Sequence, residues 1–345
     1  MSFYHLPVRR NDFEQGTLYD FIFLPENLND EILTNVDAVL VSLTSERNFE
    51  RIKQARMNFS RFSESDFGGL TLADAGYYVY EDDFDKETTG IFLENLIAKV
   101  SVNLIIITDL SWEVSRFIGK LNKGTYISIL TGTSASYTGE KWHALPFDSM
   151  ALLGLRNYLL KRDDVRKFRQ KHIKKIRLSE LKKEEVSPEI FFRHSQVSVV
   201  ESSVTQHAVL GHESLSPAGL DTIAYSAINY WAGLSPVNRF HLIDFSRWSR
   251  DYSACYTAMG IWHYLLGMYN KIPDFPFIEK EKLKRILIKH NGMNKTVYTN
   301  PLTGRFWLEA GEEPFSLEGL VPISKKKYIS LKENADDMEN SQEIL

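Results

Sequence analysis

The chain has a single cysteine, Cys255, in 345 residues. No internal disulfide can brace it, and the helical context of Cys255 marks a small core residue rather than a nucleophile. No apolar run reaches the roughly 18 residues that a membrane span needs. The opening MSFYHLPVRRND lacks the apolar stretch of a secretory signal. Basic excess is missing too: 41 Lys and Arg stand against 45 Asp and Glu, a net charge of −4, which argues against a general nucleic-acid binder. There is no internal repeat, no G-x-S-x-G elbow, no D-x-H-x-D and no H-x-x-x-H. The expectation is a soluble, cytoplasmic protein with neither nucleic acid nor membrane among its partners.

What is present is an ordinary globular composition, 43% apolar and 25% charged. A chain of this size buries roughly 75% of its unfolded surface and needs no staples. Short apolar runs at Val36–Leu43, Val102–Thr108, Tyr126–Leu130, Met150–Leu155 and Gln196–Val200 read as strands, and Phe240–Phe245 as a strand buried on both faces. Leu18–Leu24 reads as an edge strand, and Arg47–Phe62, Thr88–Val100 and Trp112–Leu121 as helices. Alternation of this kind predicts a large, mostly parallel α/β fold. The basic segment Lys161–Lys183 reads first as a solvated helix face and second as a nucleic-acid or acidic-surface contact. Past Asn270 the pattern changes to short antiparallel strands at Arg285–His290, Thr296–Thr299 and Arg305–Leu308, then a polar, acidic tail expected to be disordered.

The most informative stretch is His212–Asn270. Ser216 and Pro217 supply a helix start, Leu220, Ile223, Ala224, Ala227, Ile228 and Trp231 share one helical face, and Gly233 marks its end. A buried strand and a second amphipathic helix, Ser253–Tyr269, follow. Pro217-x-Gly219-Leu220, Trp231-Ala232-Gly233-Leu234, Phe240 to Asp251, Tyr256-Thr257-Ala258, Ile261-Trp262, Gly267 and Tyr269 resemble the C-terminal core of the ureohydrolases, the family of arginase, agmatinase and formimidoylglutamase. Leu72-Ala73-Asp74-Ala75-Gly76 resembles the family's "ADLG" segment, and Gly304–Glu309 with Leu320-Val321-Pro322 resembles the C-terminal extension of its formimidoylglutamase-like branch.

That resemblance implies a three-layer α/β/α arginase-like domain over residues 1–275 with a parallel sheet of about eight strands. A C-terminal β extension over 276–330 and the acidic tail over 331–345 complete it. It also implies a hydroxide held between two manganese ions and aimed at a guanidino or formimino carbon. The family's ligands come from "GGDHS", "D-x-H-x-D" and "S-F-D-x-D" segments at strand ends, and a hard dinuclear site needs that many carboxylates and imidazoles. At the first, this sequence has Thr108-Asp109-Leu110-Ser111, with Leu110 where the histidine belongs. At the second it has Leu130-Thr131-Gly132-Thr133-Ser134, without carboxylate or imidazole. At the third, Val200-Glu201-Ser202 leaves Glu201 one place off the ligand position, and a later family glutamate becomes Asp244.

Asp109, Leu110, Leu130, Gly132, Ser134, Val200, Glu201, Ser202 and Asp244 are therefore vestigial metal-site positions, and His212 and Glu213 border the cleft. A His/Glu/Ser nucleophile reading at His212, Glu213, Ser214 and Ser216 lacks an elbow to support it. Two further features carry bland readings: His263 as a satisfied core histidine, and Arg239, Arg247 and Arg250 around Trp248 as a surface salt-bridge network. The expectation is a pseudoenzyme with no catalytic residue, no metal and no cofactor, acting as a protein-interaction or structural component with an unknown protein partner and possible homo-oligomerisation. The alternative is an atypical manganese-dependent hydrolase of linear C–N bonds built on Asp109, Glu201, Asp244 and His212. A metal-free sensor using the leftover cleft is a third.

Overall fold

The computed structural model describes residues 3–25, 35–62, 69–81, 86–99, 101–122, 125–132, 145–156, 172–183, 186–206, 219–246, 250–272, 274, 280–310, 316–317, 319–335 and 343–344. The main sheet is built from β1 (Phe3–Leu6), β2 (Ala38–Ser45), β3 (Leu72–Tyr80), β4 (Asn103–Thr108), β5 (Tyr126–Leu130), β6 (Ser149–Leu155), β7 (His172–Arg177), β8 (Val197–Glu201) and β9 (Phe240–Asp244). Their order is β1-β3-β2-β4-β9-β8-β5-β6-β7. Every pairing is parallel except that of β1 with β3. The chain leaves the centre between β4 and β5 and returns late to fill the gap with β8 and β9. The last two strands thus bring their carboxyl ends between those of β4 and β5.

Both faces of this sheet are covered, which is why its central strands are apolar at nearly every position. Along β4 the side chains alternate, Ile105 and Ile107 joining one core, Leu104 and Ile106 the other. The first core is roofed by α1 (Phe49–Ser60), α6 (Thr222–Gly233) and α7 (Arg250–Tyr269). The second is roofed by α2 (Lys86–Lys99) and α3 (Ser111–Leu121). Short helices α4 (Leu178–Lys182) and α5 (Glu189–Phe192) lie between β7 and β8. Two glycines let α6 and α7 touch through their backbones: a Cβ on Gly233 would sit 2.0 Å from the Tyr264 carbonyl oxygen, and one on Gly267 2.1 Å from that of Tyr230. Both belong to the segments that resemble the ureohydrolase core.

Helix α1 also carries a buried charge inward. Arg56 and Asp74 form a bidentate pair at 2.7 and 2.9 Å, both side chains fully buried. Ser42, the Gly76 carbonyl, the Gly76 N–H and the Tyr19 hydroxyl take up the remaining valences. Burial alone would pull the guanidinium's affinity for its proton down, and Asp74 more than reverses it.

Several expectations are corrected. Leu18–Leu24 is not an edge strand: Leu18–Asp20 is a 3-10 turn, held by Arg10 donating to the Tyr19 and Ile22 carbonyls, and only Phe23 bridges to the sheet, at Ala73. The edge strand is β1, a ninth strand beyond the eight expected. Within the basic segment, His172–Arg177 is β7 and not a helix face; it closes the other edge of the sheet with mostly exposed charge, as unpaired edges require. Cys255 is exposed on α7 and not in the core. Helix α6 is capped by Asp221, which accepts the Ala224 N–H at 2.9 Å; Ser216 and Pro217 lie outside the described residues.

The C-terminal extension is a second, antiparallel sheet ordered β13-β12-β11-β10, from β10 (Lys284–His290), β11 (Met293–Thr299), β12 (Phe306–Glu309) and β13 (Leu320–Ile323). The two-residue β14 (Glu343–Ile344) pairs with β10. Helix α8 (Lys325–Glu333), capped by Ser324, packs against this sheet. Trp307 is fully buried and donates its indole N–H to His194 at 3.2 Å, which locks the extension to the main domain. Among the described residues no helix is long and apolar enough to cross a membrane.

Candidate functional site

The positions expected to carry chemistry lie at the carboxyl ends of β4, β9, β8 and β5, where an open parallel sheet places ligands. Register puts Thr108 beside Asp244, Asp244 beside Glu201, and Leu130 beside Val200. The three acids Asp109, Asp244 and Glu201 therefore share one rim, as the resemblance implies.

Their hydrogen bonds decide what the rim can do. One oxygen of Asp109 accepts from the Ser45 N–H at 3.2 Å, the Ser45 hydroxyl at 2.7 Å and the Asn48 amide at 2.7 Å; the other accepts the Tyr80 hydroxyl at 2.7 Å. Behind Asn48 stands Arg51, which donates to the Asn48 carbonyl oxygen at 3.1 Å and to the Ser253 hydroxyl at 3.2 Å. Asp244, 4% exposed, accepts the Ser111 hydroxyl at 2.5 Å on one oxygen, and the Ser246 N–H and hydroxyl at 2.8 and 2.6 Å on the other. Burial raises its carboxyl above the usual range against the pull of these donors, and Asp109 adds to the rise. Glu201 is buried and accepts from Ser203 at 3.1 Å.

The other positions are structural. Leu110 precedes α3 and packs against the core beneath that helix, so the residue in the histidine's place points into protein. Leu130 and Val200 are fully buried in the opposite core. Gly132 is pressed against the 3-10 turn Ser202–Val204, donating its N–H to the Ser203 hydroxyl; a Cβ there would meet the Ser203 carbonyl oxygen at 2.2 Å. Ser202 is buried, its carbonyl accepting from Thr205. Ser134, His212 and Glu213 lie outside the described residues.

A manganese pair does not fit this donor set. Two hard dications need several anionic oxygens and an imidazole directed at one point. Here hydroxyl and amide donors engage both oxygens of Asp109 and of Asp244, and among the described residues the strand ends carry no histidine. Among the described residues no group of three or more His, Cys, Asp or Glu could hold a metal ion.

A polar network that no motif announced lies one layer deeper. His241 on β9 is fully buried, stacked on Tyr264 at 4.1 Å, with Nδ1 2.8 Å from the Ser198 hydroxyl and Nε2 3.0 Å from the Asn229 carbonyl oxygen. Asn238 joins Ser198 to Tyr264. Burial pushes the imidazole's pKa down to about 3, so it is neutral, with Nε2 donating to Asn229. Its partners are uncharged and it faces helices α6 and α7, which makes it an internal brace. His263 is half-buried rather than in the core. Arg239 immediately precedes β9 and Arg250 opens α7, whereas Arg247 and Trp248 of the expected arginine cluster lie outside the described residues.

Neither a protein-family model nor a curated protein matches the sequence. Solved structures do match the fold. Trypanosoma cruzi formiminoglutamase with manganese superposes with a TM-score of 0.55 at 14% identity, covering 69% of this chain and 94% of that one. Bacillus subtilis formimidoylglutamase gives 0.55 and 14%, covering 69% and 89%. Proclavaminate amidino hydrolase from Streptomyces clavuligerus gives 0.53 and 16%, covering 68% and 92%. Identities this low speak for fold and not for chemistry. The fold of this chain is the arginase-like fold of the ureohydrolases, formiminoglutamases among them.

Proposed function

We propose that this protein is a non-catalytic member of the arginase-like fold, retained as a protein-interaction component. The observation that carries the reading is the engagement of two of the three rim carboxylates by neutral donors: Ser45, Asn48 and Tyr80 close on Asp109, and Ser111 and Ser246 on Asp244. To bind a cation, Asp109 would first lose up to four hydrogen bonds and Asp244 up to three, at roughly 1 kcal/mol or more each. A cytoplasmic location and self-association belong to the same reading.

The test is the metal content of the purified protein by elemental mass spectrometry after dialysis against excess manganese, alongside hydrolysis assays on formimidoylglutamate, agmatine and arginine. Metal well below one equivalent and no hydrolysis are expected. A stoichiometric metal with turnover would establish instead a hydrolase of linear C–N bonds with an atypical site.

A further inference from the structure

Away from the rim, the outer side of α6 borders two cavities that meet. One, of about 700 Å³, is walled by Leu181, Val186, Leu220, Ile223, Ile228 and Trp231. The other, of about 580 Å³, lies toward the amino ends of β8 and β9, among Trp231, Ile272, Arg305, Phe306, Lys325 and Lys326. Both are lined by Ser187 and Trp231, so they form one groove along α6, a helix about 18 Å long at 1.5 Å per residue.

The two ends differ in chemistry. At the first, Ile223 is 81% exposed, a large apolar side chain left in water, while Lys182 and Asp221 offset each other in charge. At the second, Glu189 holds Arg193 through two contacts at 2.9 and 2.6 Å and Arg305 at 3.2 Å, and Asp274 holds Arg305 again at 3.2 Å. Those two acids balance the two guanidiniums. Lys325 and Lys326 are exposed at the same mouth with no ion-pair partner among the described residues, which leaves the end cationic.

We infer that this groove docks an extended segment of a partner protein, bearing apolar anchors at one end and acidic residues at the other. Length argues for a chain segment over a compact metabolite: about six extended residues match the span of α6. Charge complementarity argues for acidic residues at the Lys325–Lys326 mouth, where they would also steer association. The inference deepens the interaction reading above and rests on it for the kind of ligand.

Selection of random peptides displayed on phage against the full chain tests it, with binding of the enriched synthetic peptides followed by fluorescence anisotropy. Enriched peptides should combine one or more large apolar residues with Asp or Glu within about six positions. Ile223→Glu and the double variant Lys325→Glu/Lys326→Glu should each weaken them at least about tenfold. All three positions are exposed, and unchanged thermal midpoints check that the variants fold. Failure to enrich, enrichment without acidic residues, or undiminished binding by both variants overturns the proposal. So does a wild-type dimer in light scattering that the same variants dissociate, because the groove would then be covered by a second copy. Metal content and hydrolysis are independent of the groove, so loss of this inference and loss of the non-catalytic reading are separate results.

Discussion

Two groups of buried and half-buried acids in this molecule are held by opposite means. Away from the vestigial rim, Asp74 is paired to Arg56, and Glu189 and Asp274 to Arg193 and Arg305. On the rim, Asp109 and Asp244 are hydrogen-bonded only by hydroxyls, amides and backbone N–H groups. Among the paired acids, Arg193 and Arg305 hold the Glu189 carboxyl below its ordinary value against the push of burial. A carboxylate among neutral donors keeps the cost of its own burial, and Asp244 shows that cost as a raised pKa. The paired acids are fastened into the structure, whereas the rim acids are tolerated by it.

The largest effect that comparison predicts is at the buried pair. Asp74→Asn leaves the Arg56 charge inside the protein with no anion, and should cost about 3–5 kcal/mol of stability in urea unfolding. A loss below about 1 kcal/mol would mean that water or another acid reaches Arg56 and would erase the contrast with the rim. Next in size is Arg305→Met, which removes the bridge from Glu189 to Asp274 and leaves Asp274, 1% exposed at its side chain, with Asn300 and Thr303. About 2–4 kcal/mol is expected. Hydrogen exchange should also loosen β11 and β12 before β4 and β9, since this cluster ties the extension down.

How much of this could be read from sequence depends on how local each cause is. Strands β2, β4, β5, β8 and β9 are apolar runs whose burial on both faces is written in their own residues. Strand β3 carries Asp74 and Gly76 in its middle, and Arg56, which makes that charge tolerable, stands 18 positions earlier on another element. Strand β7 is basic because it is an edge, a property of the sheet and not of the segment. At the rim, the loss of the histidine was plain from Leu110 alone. The donors that surround Asp109 were not, because Ser45, Asn48 and Tyr80 converge on it from two other strands and a turn.

A third prediction concerns His241, a buried base among neutral partners. Its folded pKa of about 3 lies below the 6.5 of an ordinary histidine. Between those values the unfolded chain takes up a proton that the folded one refuses, so stability falls as pH falls. The contribution is about 1.4 kcal/mol per pH unit. His241→Gln should flatten the acid limb of the stability curve by roughly that slope. An unchanged slope would show that His241 is protonated inside the fold, with an acid near it after all.

The smallest effect is the one that bears on function. In Asp244→Asn the amide oxygen can still accept from Ser246 and the amide nitrogen can donate to the Ser111 hydroxyl, so at pH 8 the change should be within about 1 kcal/mol. The pH dependence has a definite sign. A folded pKa above the unfolded 3.8 makes the protonated acid a source of stability below 3.8 that disappears as pH rises through the folded value, and the asparagine variant should lack that decline. Manganese should shift the thermal midpoint of neither protein. A metal ligand behaves otherwise: its change to an amide would remove a manganese-dependent stabilisation that grows with the logarithm of metal concentration. A midpoint that rises with manganese in the wild type and not in the variant would place Asp244 on a cation, and the rim acids would then be functional rather than tolerated.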